Sequence, residues 1–160
     1  MSQRGQSPEY TAIAYALDGD VARVTLNRPS AMNAMTADMR RELTHAVRRA
    51  GVEARALLLT GAPPAAGGRA AFCSGQDLGD IRESELQRIL IEEYAPLLLA
   101  MSETPIPVIA AVNGAAAGAG FHLALAADLT LAARAAQFTA PFARIGRIPA
   151  GGGSYWLPRK

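Results

Sequence analysis

Two short runs rich in Val, Ile, Ala and Thr open the pattern of the chain, Thr11–Leu17 and Val21–Leu26, on either side of Asp18-Gly19-Asp20. Asp-Gly tolerates the positive φ of a tight turn, so the pair predicts a β-hairpin. Asn27-Arg28-Pro29-Ser30 then breaks the second strand. From Thr36 the period lengthens: Met39, Leu43, Ala46 and Val47 recur at helical spacing, and the arginines fall to the other, solvated side. Thr36 suits the N-cap, with Asp38 in the first turn near the positive end of the helix. Ala56–Thr60 is apolar and short, which predicts a buried strand ended by Gly61. Ala62 to Ala70, rich in Pro, Gly and Ala, reads as a surface loop and the most mobile segment.

Helical periodicity returns from Glu83 to Met101, with Leu86, Ile89, Leu90, Tyr94, Leu97 and Leu98 on the inner side. Pro96 should kink or interrupt this helix, because it lacks an N–H and its ring crowds the preceding turn. After Thr104-Pro105-Ile106-Pro107, Val108–Val112 predicts a second buried strand, turned at Asn113-Gly114. The Gly/Ala run then opens a helix over about Ala119 to Ala127, and Asp128–Ala132 predicts another strand. Gln137 to Lys160 reads as loop-rich. Alternating strands and helices argue an α/β domain, and strands this apolar predict a sheet covered on both faces.

Composition narrows the class. A length of 160 residues suits one domain with a sizeable core, expected over 11–160 behind a flexible N-terminus at 1–10. Aromatics make up only 6%, so the core must pack through small side chains and close backbone approach. A net charge of +2 with scattered arginines offers no strong field for nucleic acid. Arg40–Arg41 and Arg48–Arg49 read as a solvated helix face, with a minor role beside an anionic ligand as the alternative. The lone Cys73 excludes an intramolecular disulfide and multi-cysteine zinc patterns, so no metal is expected, and it suits a reducing, cytoplasmic compartment. Met1 to Glu9 is polar without an apolar h-region. The most apolar stretch, Pro105 to Ala133, is interrupted by Asn113, His122 and Asp128, which argues against a membrane span.

Three places have features that packing alone explains poorly. In Phe72-Cys73-Ser74-Gly75-Gln76-Asp77-Leu78, Gly75 permits a sharp turn that leaves the Gln76 amide unpaired. In Asn113-Gly114-Ala115-Ala116-Ala117-Gly118-Ala119-Gly120, a strand turns into a helix N-terminus whose amides are exposed with the helix dipole behind them. Ile148-Pro149-Ala150-Gly151-Gly152-Gly153 is another approach free of bulky side chains. Two free amides converging from the first two places would make an oxyanion hole for a carbonyl oxygen gaining negative charge. The alternative is that these runs merely allow close helix–strand packing.

At these residues the chain resembles a known family. Val24-Thr25-Leu26-Asn27-Arg28-Pro29 with Asn33-Ala34, the Phe72–Leu78 block, Pro107-Val108-Ile109-Ala110-Ala111-Val112-Asn113-Gly114 through Asp128, Ala136-Gln137-Phe138, and Ile145-Gly146-Arg147-Ile148-Pro149 look like the enoyl-CoA hydratase/isomerase (crotonase) family, in order and spacing. The likeness covers nearly the whole chain after Tyr10. It implies a crotonase-like spiral of ββα units and an acyl-CoA thioester substrate, with coenzyme A part of the substrate and no separate cofactor. The oxyanion amides would be those of Gln76 and Ala119, and the backbone of Gln76, Asp77, Leu78 and Gly79 would line the acyl-CoA site with Ala119. Arg28 is placed either near the CoA phosphates or at the surface beside a turn. A homo-oligomer, trimer or hexamer, is also implied.

Two departures qualify that resemblance. Hydratases of the family carry two glutamates that activate water; the matching positions here are His122 and Phe142. Phenylalanine cannot carry a proton, so two-carboxylate hydration is unavailable. Thr139-Ala140-Pro141-Phe142 looks more like the isomerase branch acting in phenylacetate breakdown, whose aspartate after Ile-Pro is replaced here by Ala150. His122 is then the remaining acid/base candidate, against the reading of a histidine packed among Leu123, Ala124 and Leu125. Asp77 is placed to orient its loop, Asp128 and Cys73 read as structural, and His45 reads as surface. Family domains continue past the block matching Ser154–Arg159 with helices that cover the acyl pocket, so a missing C-terminal helical part and uncovered apolar surface are expected. The leading expectation is double-bond isomerisation of an enoyl-CoA; the competing one is a non-catalytic acyl-CoA-binding or assembly protein.

Overall fold

The computed structural model describes residues 10–64, 66–80 and 82–160. The flexible N-terminus expected at 1–10 lies outside these residues except for Tyr10, whose hydroxyl is 2.7 Å from His45 Nδ1. Ala65, within the loop expected to be mobile, lies outside them too.

The hairpin forms as the pattern predicts: β1 (Ile13–Asp18) pairs antiparallel with β2 (Val21–Leu26). Helix α1 (Ala37–Glu53) starts at Thr36, whose hydroxyl accepts the Met39 amide at 3.3 Å. That bond satisfies one of the orphan donors of the first turn. Thr36→Ala should lower stability by about 1 kcal/mol, read as a fall in the denaturant midpoint with an unchanged slope. Met39, Leu43, Ala46, Val47 and Ala50 are all buried. The arginine face needs correcting: Arg41 and Arg48 are exposed, but Arg40 is 1% exposed. It lies three residues before Leu43 and seven before Val47, so the helical period itself turns it inward.

Strand β3 (Ala56–Gly61) runs parallel to β2, and β4 (Ala71–Cys73) follows the loop. The predicted Glu83–Met101 helix is divided. A 3₁₀ turn (Glu83–Glu85) leads into α2 (Leu86–Ile89), a π-helical turn (Leu90–Tyr94) and α3 (Ala95–Glu103). Pro96 has no N–H to give the carbonyl four residues back, and its ring crowds that carbonyl. The preceding turn widens, so that the Ala95 amide reaches back five residues to the Leu90 carbonyl.

After β5 (Val108–Val112) the chain departs from expectation. The Gly/Ala run is itself a strand, β6 (Ala115–Ala117), before α4 (Ala119–Ala126) begins. Alanine strands carry no hydrophobic alternation, so periodicity could not reveal it. β7 (Leu129–Ala132) follows, and the loop-rich tail contains β8 (Gln137–Thr139), a 3₁₀ turn (Pro141–Ile145) and a short α5 (Gly153–Trp156).

The strands form two sheets, β1-β2-β3-β5-β7 and β4-β6-β8; all pairs beyond the hairpin are parallel. The expectation of a sheet covered on both faces is not met. α1 packs across β2 and β3 with α3 against α1, burying Val24, Leu26, Leu57, Leu59, Val108, Ala110 and Val112. Their neighbours on the other face of β3 and β5 are only half-buried, and β7 is exposed throughout, including Leu129 and Leu131. Side-chain amides join the turns: Asn33 Nδ2 donates to the Ala71 carbonyl at 2.9 Å, and Asn113 Nδ2 to the Gly61 carbonyl at 2.8 Å. Asp128 accepts the Val108 amide at 2.8 Å, the structural role expected of it. Among the described residues no helix is long and apolar enough to cross a membrane.

Candidate active site

Parallel pairing of β4 with β6 brings the two glycine-containing turns side by side. After β4 the chain turns at Gly75 with φ +106°, a conformation that L side chains rarely adopt. A Cβ built there would lie 2.8 Å from the Ala117 carbonyl oxygen and 3.6 Å from the Ala119 amide nitrogen. The backbones of the two turns are therefore in contact, and only glycine lets them be. α4 presses on β4 in the same way: a Cβ at Gly120 would overlap the Cys73 backbone.

The direction of the Gln76 amide follows from a single parallel bridge. Met35 donates to the Gly75 carbonyl at 2.8 Å and accepts from the Asp77 amide at 3.1 Å. In that pattern the hydrogen-bonding groups of Gln76 itself point away from Met35. Its N–H meets no acceptor among the described residues. The Ala119 N–H, in the first turn of α4, likewise has none, as helix geometry dictates. Both residues line one cavity of about 300 Å³.

His122 stands one turn further along α4, its amide bonded to the Gly118 carbonyl at 3.1 Å. It also lines the cavity, although both ring nitrogens are themselves buried, Nε2 against Gly153. The ring is 2% exposed and stacks on Phe142 with centroids 4.9 Å apart and planes 10° from parallel. Gly153 closes its edge so tightly that a Cβ there would overlap the ring. Neither ring nitrogen has a hydrogen-bond partner among the described residues. Burial lowers the pKa of His122 below its ordinary value, against a smaller opposing pull from the nearby Ala150 backbone, so the ring is neutral at neutral pH. A neutral imidazole has one donor and one acceptor nitrogen, and here both are buried without a partner among the described residues.

The three positions compared with family acids and bases, His122, Phe142 and Ala150, all line this cavity. The rest of its wall is mostly apolar, including Met35, Leu90, Leu97, Leu98 and Ile148. Among the described residues, no Asp or Glu lines the cavity. No cluster of metal-ligating side chains occurs among the described residues.

Of the residues expected at an acyl-CoA site, Gln76, Leu78 and Ala119 line this cavity, whereas Asp77 and Gly79 do not. Asp77 holds the turn from behind. Its carboxylate accepts Arg28 at 2.8 Å and the Gly79 amide at 3.0 Å, and the Arg28 hydrogen bond draws its pKa down. Arg28 Nη1 donates to Asp77 and to the Ala34 carbonyl at 2.6 Å, which sets the guanidinium beside the turn. Cys73 is fully buried, and desolvation pushes its thiol up to about 12, as suits an inert core residue. His45 is exposed, as expected.

Sequence reasoning missed the layer behind Gln76. Its side-chain oxygen accepts Arg40 Nη1 at 2.6 Å and the Tyr94 hydroxyl at 2.5 Å, while Nε2 donates to the Asp77 carbonyl at 2.9 Å. The signal available was the inward phase of Arg40 on its helix.

Comparison with known proteins places these features in a wider set. The family model described as enoyl-CoA hydratase/isomerase matches residues 17–160. A protein of Rhodobacter capsulatus named "Probable enoyl-CoA hydratase" is 54% identical over 153 residues, covering 94% of this chain and 57% of its own length. The 1,2-epoxyphenylacetyl-CoA isomerase of Escherichia coli is 41% identical over 147 residues, 87% of this chain and 54% of that protein. A crystal structure of an enoyl-CoA hydratase from Bacillus anthracis superimposes with a TM-score of 0.84 at 30% identity, covering 93% of this chain and 58% of that one. The chain spans little more than half the length of these relatives.

Proposed function

Because the chain belongs to the enoyl-CoA hydratase/isomerase family and has the crotonase fold, we propose that its cavity receives the acyl part of an enoyl-CoA thioester and that it shifts the double bond rather than adding water. The observation that carries this reading is that Gln76 and Ala119, whose amides are free, share one cavity with neutral His122, and that no carboxylate is among its described lining residues. Hydration in the two-glutamate manner needs groups to hold and deprotonate water, and Phe142, at one of the two matching positions, can do neither. Moving a double bond needs only a base, a place for the electrons, and the same base returned as an acid.

In this scheme the thioester oxygen accepts from the Gln76 and Ala119 amides. The His122 ring turns to bring one nitrogen from its buried position into the cavity. That nitrogen takes the α-proton, and the C–H electron pair moves into the thioester to give a dienolate whose oxygen those amides hold. The imidazolium then returns the proton to the γ-carbon, which relocates the double bond and restores the neutral ring. Coenzyme A is part of the substrate, and no further cofactor enters. The name of the Escherichia coli relative supports isomerase chemistry, and that of the Rhodobacter relative supports hydration. We also propose a cytoplasmic homo-oligomer, for which the exposed Leu129, Leu131 and Phe138 offer apolar surface to cover.

The test is incubation with β,γ- and α,β-enoyl-CoA in deuterated water, followed by mass spectrometry. Deuterium incorporation with interconversion of the two isomers is expected, without the mass of added water. A hydrated product would overturn the isomerase reading. Thioester binding without exchange would favour a non-catalytic acyl-CoA-binding protein.

A further inference from the structure

The scheme above leaves one large buried charge unused. Arg40 is 1% exposed on the inner face of α1, where the helical period calls for an apolar side chain. Burying a guanidinium costs several kcal/mol unless every donor is placed, and an apolar residue of similar size commonly serves stability as well or better. The partners of Arg40 are specific. Nε and Nη2 engage Glu93 Oε2 at 2.9 and 2.7 Å, Nη2 reaches Asp80 at 3.3 Å, and the guanidinium carbon stands 5.1 Å from the Tyr94 ring centre. Nη1 is shared between the Met35 carbonyl at 3.2 Å and Gln76 Oε1 at 2.6 Å.

Those last two acceptors belong to the two residues of the bridge that aims the Gln76 amide. The Met35 carbonyl that takes the Asp77 amide also takes Arg40, so one guanidinium nitrogen clamps both sides of the bridge. Glu93 and Tyr94, on the π-helical turn, hold the same clamp from the cavity side, Glu93 on the guanidinium and Tyr94 on Gln76 Oε1. A small rotation of the Gln76 peptide would swing its N–H off a carbonyl oxygen, and misplacement on the order of 1 Å costs a reaction roughly a hundred-fold.

Resting on the reading that the Gln76 amide contacts the thioester oxygen, we propose that Arg40 is a positioning residue for that amide, acting through Met35 and Gln76 without touching substrate. It is a specificity device for transition-state charge: it sharpens polarisation of the carbonyl and contributes little to holding the acyl chain.

The experiment compares the wild type with Arg40→Met, Arg40→Lys and Gln76→Met, the last keeping the backbone amide and removing the side-chain carboxamide that Arg40 grips. Two readouts are taken: the infrared carbonyl stretch of a bound, isotope-labelled acyl-CoA thioester, and the affinity for an S-alkyl-CoA thioether, which has no carbonyl. In the wild type the bound carbonyl should absorb at lower frequency than in water. Each variant should lose most of that shift, with kcat for α-proton exchange falling roughly a hundred-fold, and thioether affinity should stay within a few-fold. Should Arg40→Met not fold, Arg40→Lys and Gln76→Met carry the comparison, since both keep a cation at position 40 for Glu93 and Asp80. A variant carbonyl shift equal to that of the wild type would overturn the positioning role while leaving the oxyanion reading intact. Absence of any shift in the wild type would overturn the oxyanion reading itself.

Discussion

Replacing His122 by glutamine should reduce α-proton exchange by about 10²- to 10⁴-fold, the usual weight of a positioned general base, while thioester affinity changes little. Glutamine is close in size to histidine, so the packing against Phe142 and Gly153 survives, and it cannot take a proton from carbon. The pH dependence gives a second signature. Burial holds the folded-state pKa of His122 below 6.5, so the ring stays a competent base down through the ordinary histidine range, and exchange declines only at lower pH. The sign for stability follows from the same shift. Between the folded value and 6.5 the unfolded chain binds the extra proton, so stability is full above 6.5 and is lost as pH falls toward the folded value. Glutamine at this position should flatten both profiles. An exchange rate unchanged in the variant would remove the imidazole from the mechanism.

Gly75→Ala should be the most damaging small substitution in the turn. The backbone there has φ +106°, and a non-glycine residue held so far from its allowed regions costs ~1–3 kcal/mol. The added methyl would also meet the Ala117 carbonyl oxygen at 2.8 Å, and forcing extra atoms into close packing costs another ~1–3 kcal/mol. The chain can relieve that contact only by moving the β4 turn away from β6, which separates the Gln76 and Ala119 amides. Loss of one oxyanion donor typically costs about 10²–10³ in turnover. A denaturant midpoint well below that of the wild type, together with a collapse of exchange, is therefore expected. A variant that kept wild-type exchange would show that the spacing of these amides is unimportant.

How much of this was legible in the sequence depended on whether a signal was periodic. The hairpin, α1 with its Thr36 cap, β3, β5 and the core of α4 each announce themselves by hydrophobic spacing or turn chemistry, and the structure has them within a residue or two. β6 could not be seen, because three alanines have no faces to distinguish; only its register with β4 makes it a strand. β8 and α5 were hidden in glycine- and alanine-rich sequence where local preference is weak. At the site, Gln76, Leu78, Ala119 and His122 were found from turn chemistry and family likeness together, and they share one cavity. Arg40 was assigned by residue type to solvent although its phase pointed inward. Charge is a poor guide wherever acidic partners from distant segments, here Asp80 and Glu93, converge on the same place.

In both sheets the strands stand in the order in which they occur along the chain. Each new strand therefore docks beside one already made, and no place in either sheet has to be held open for a later segment. Structure of this kind can grow in one direction, like a stack of repeats. During synthesis the β1–β2 hairpin can form as soon as it clears the ribosome, and β3 and β5 can then join in turn. The two amides proposed to act together follow a different schedule: Gln76 emerges early in this progression, but Ala119 comes only after β6, the partner of β4, has been made. Nascent chains halted between these points would hold a formed hairpin and only one of the two proposed oxyanion amides.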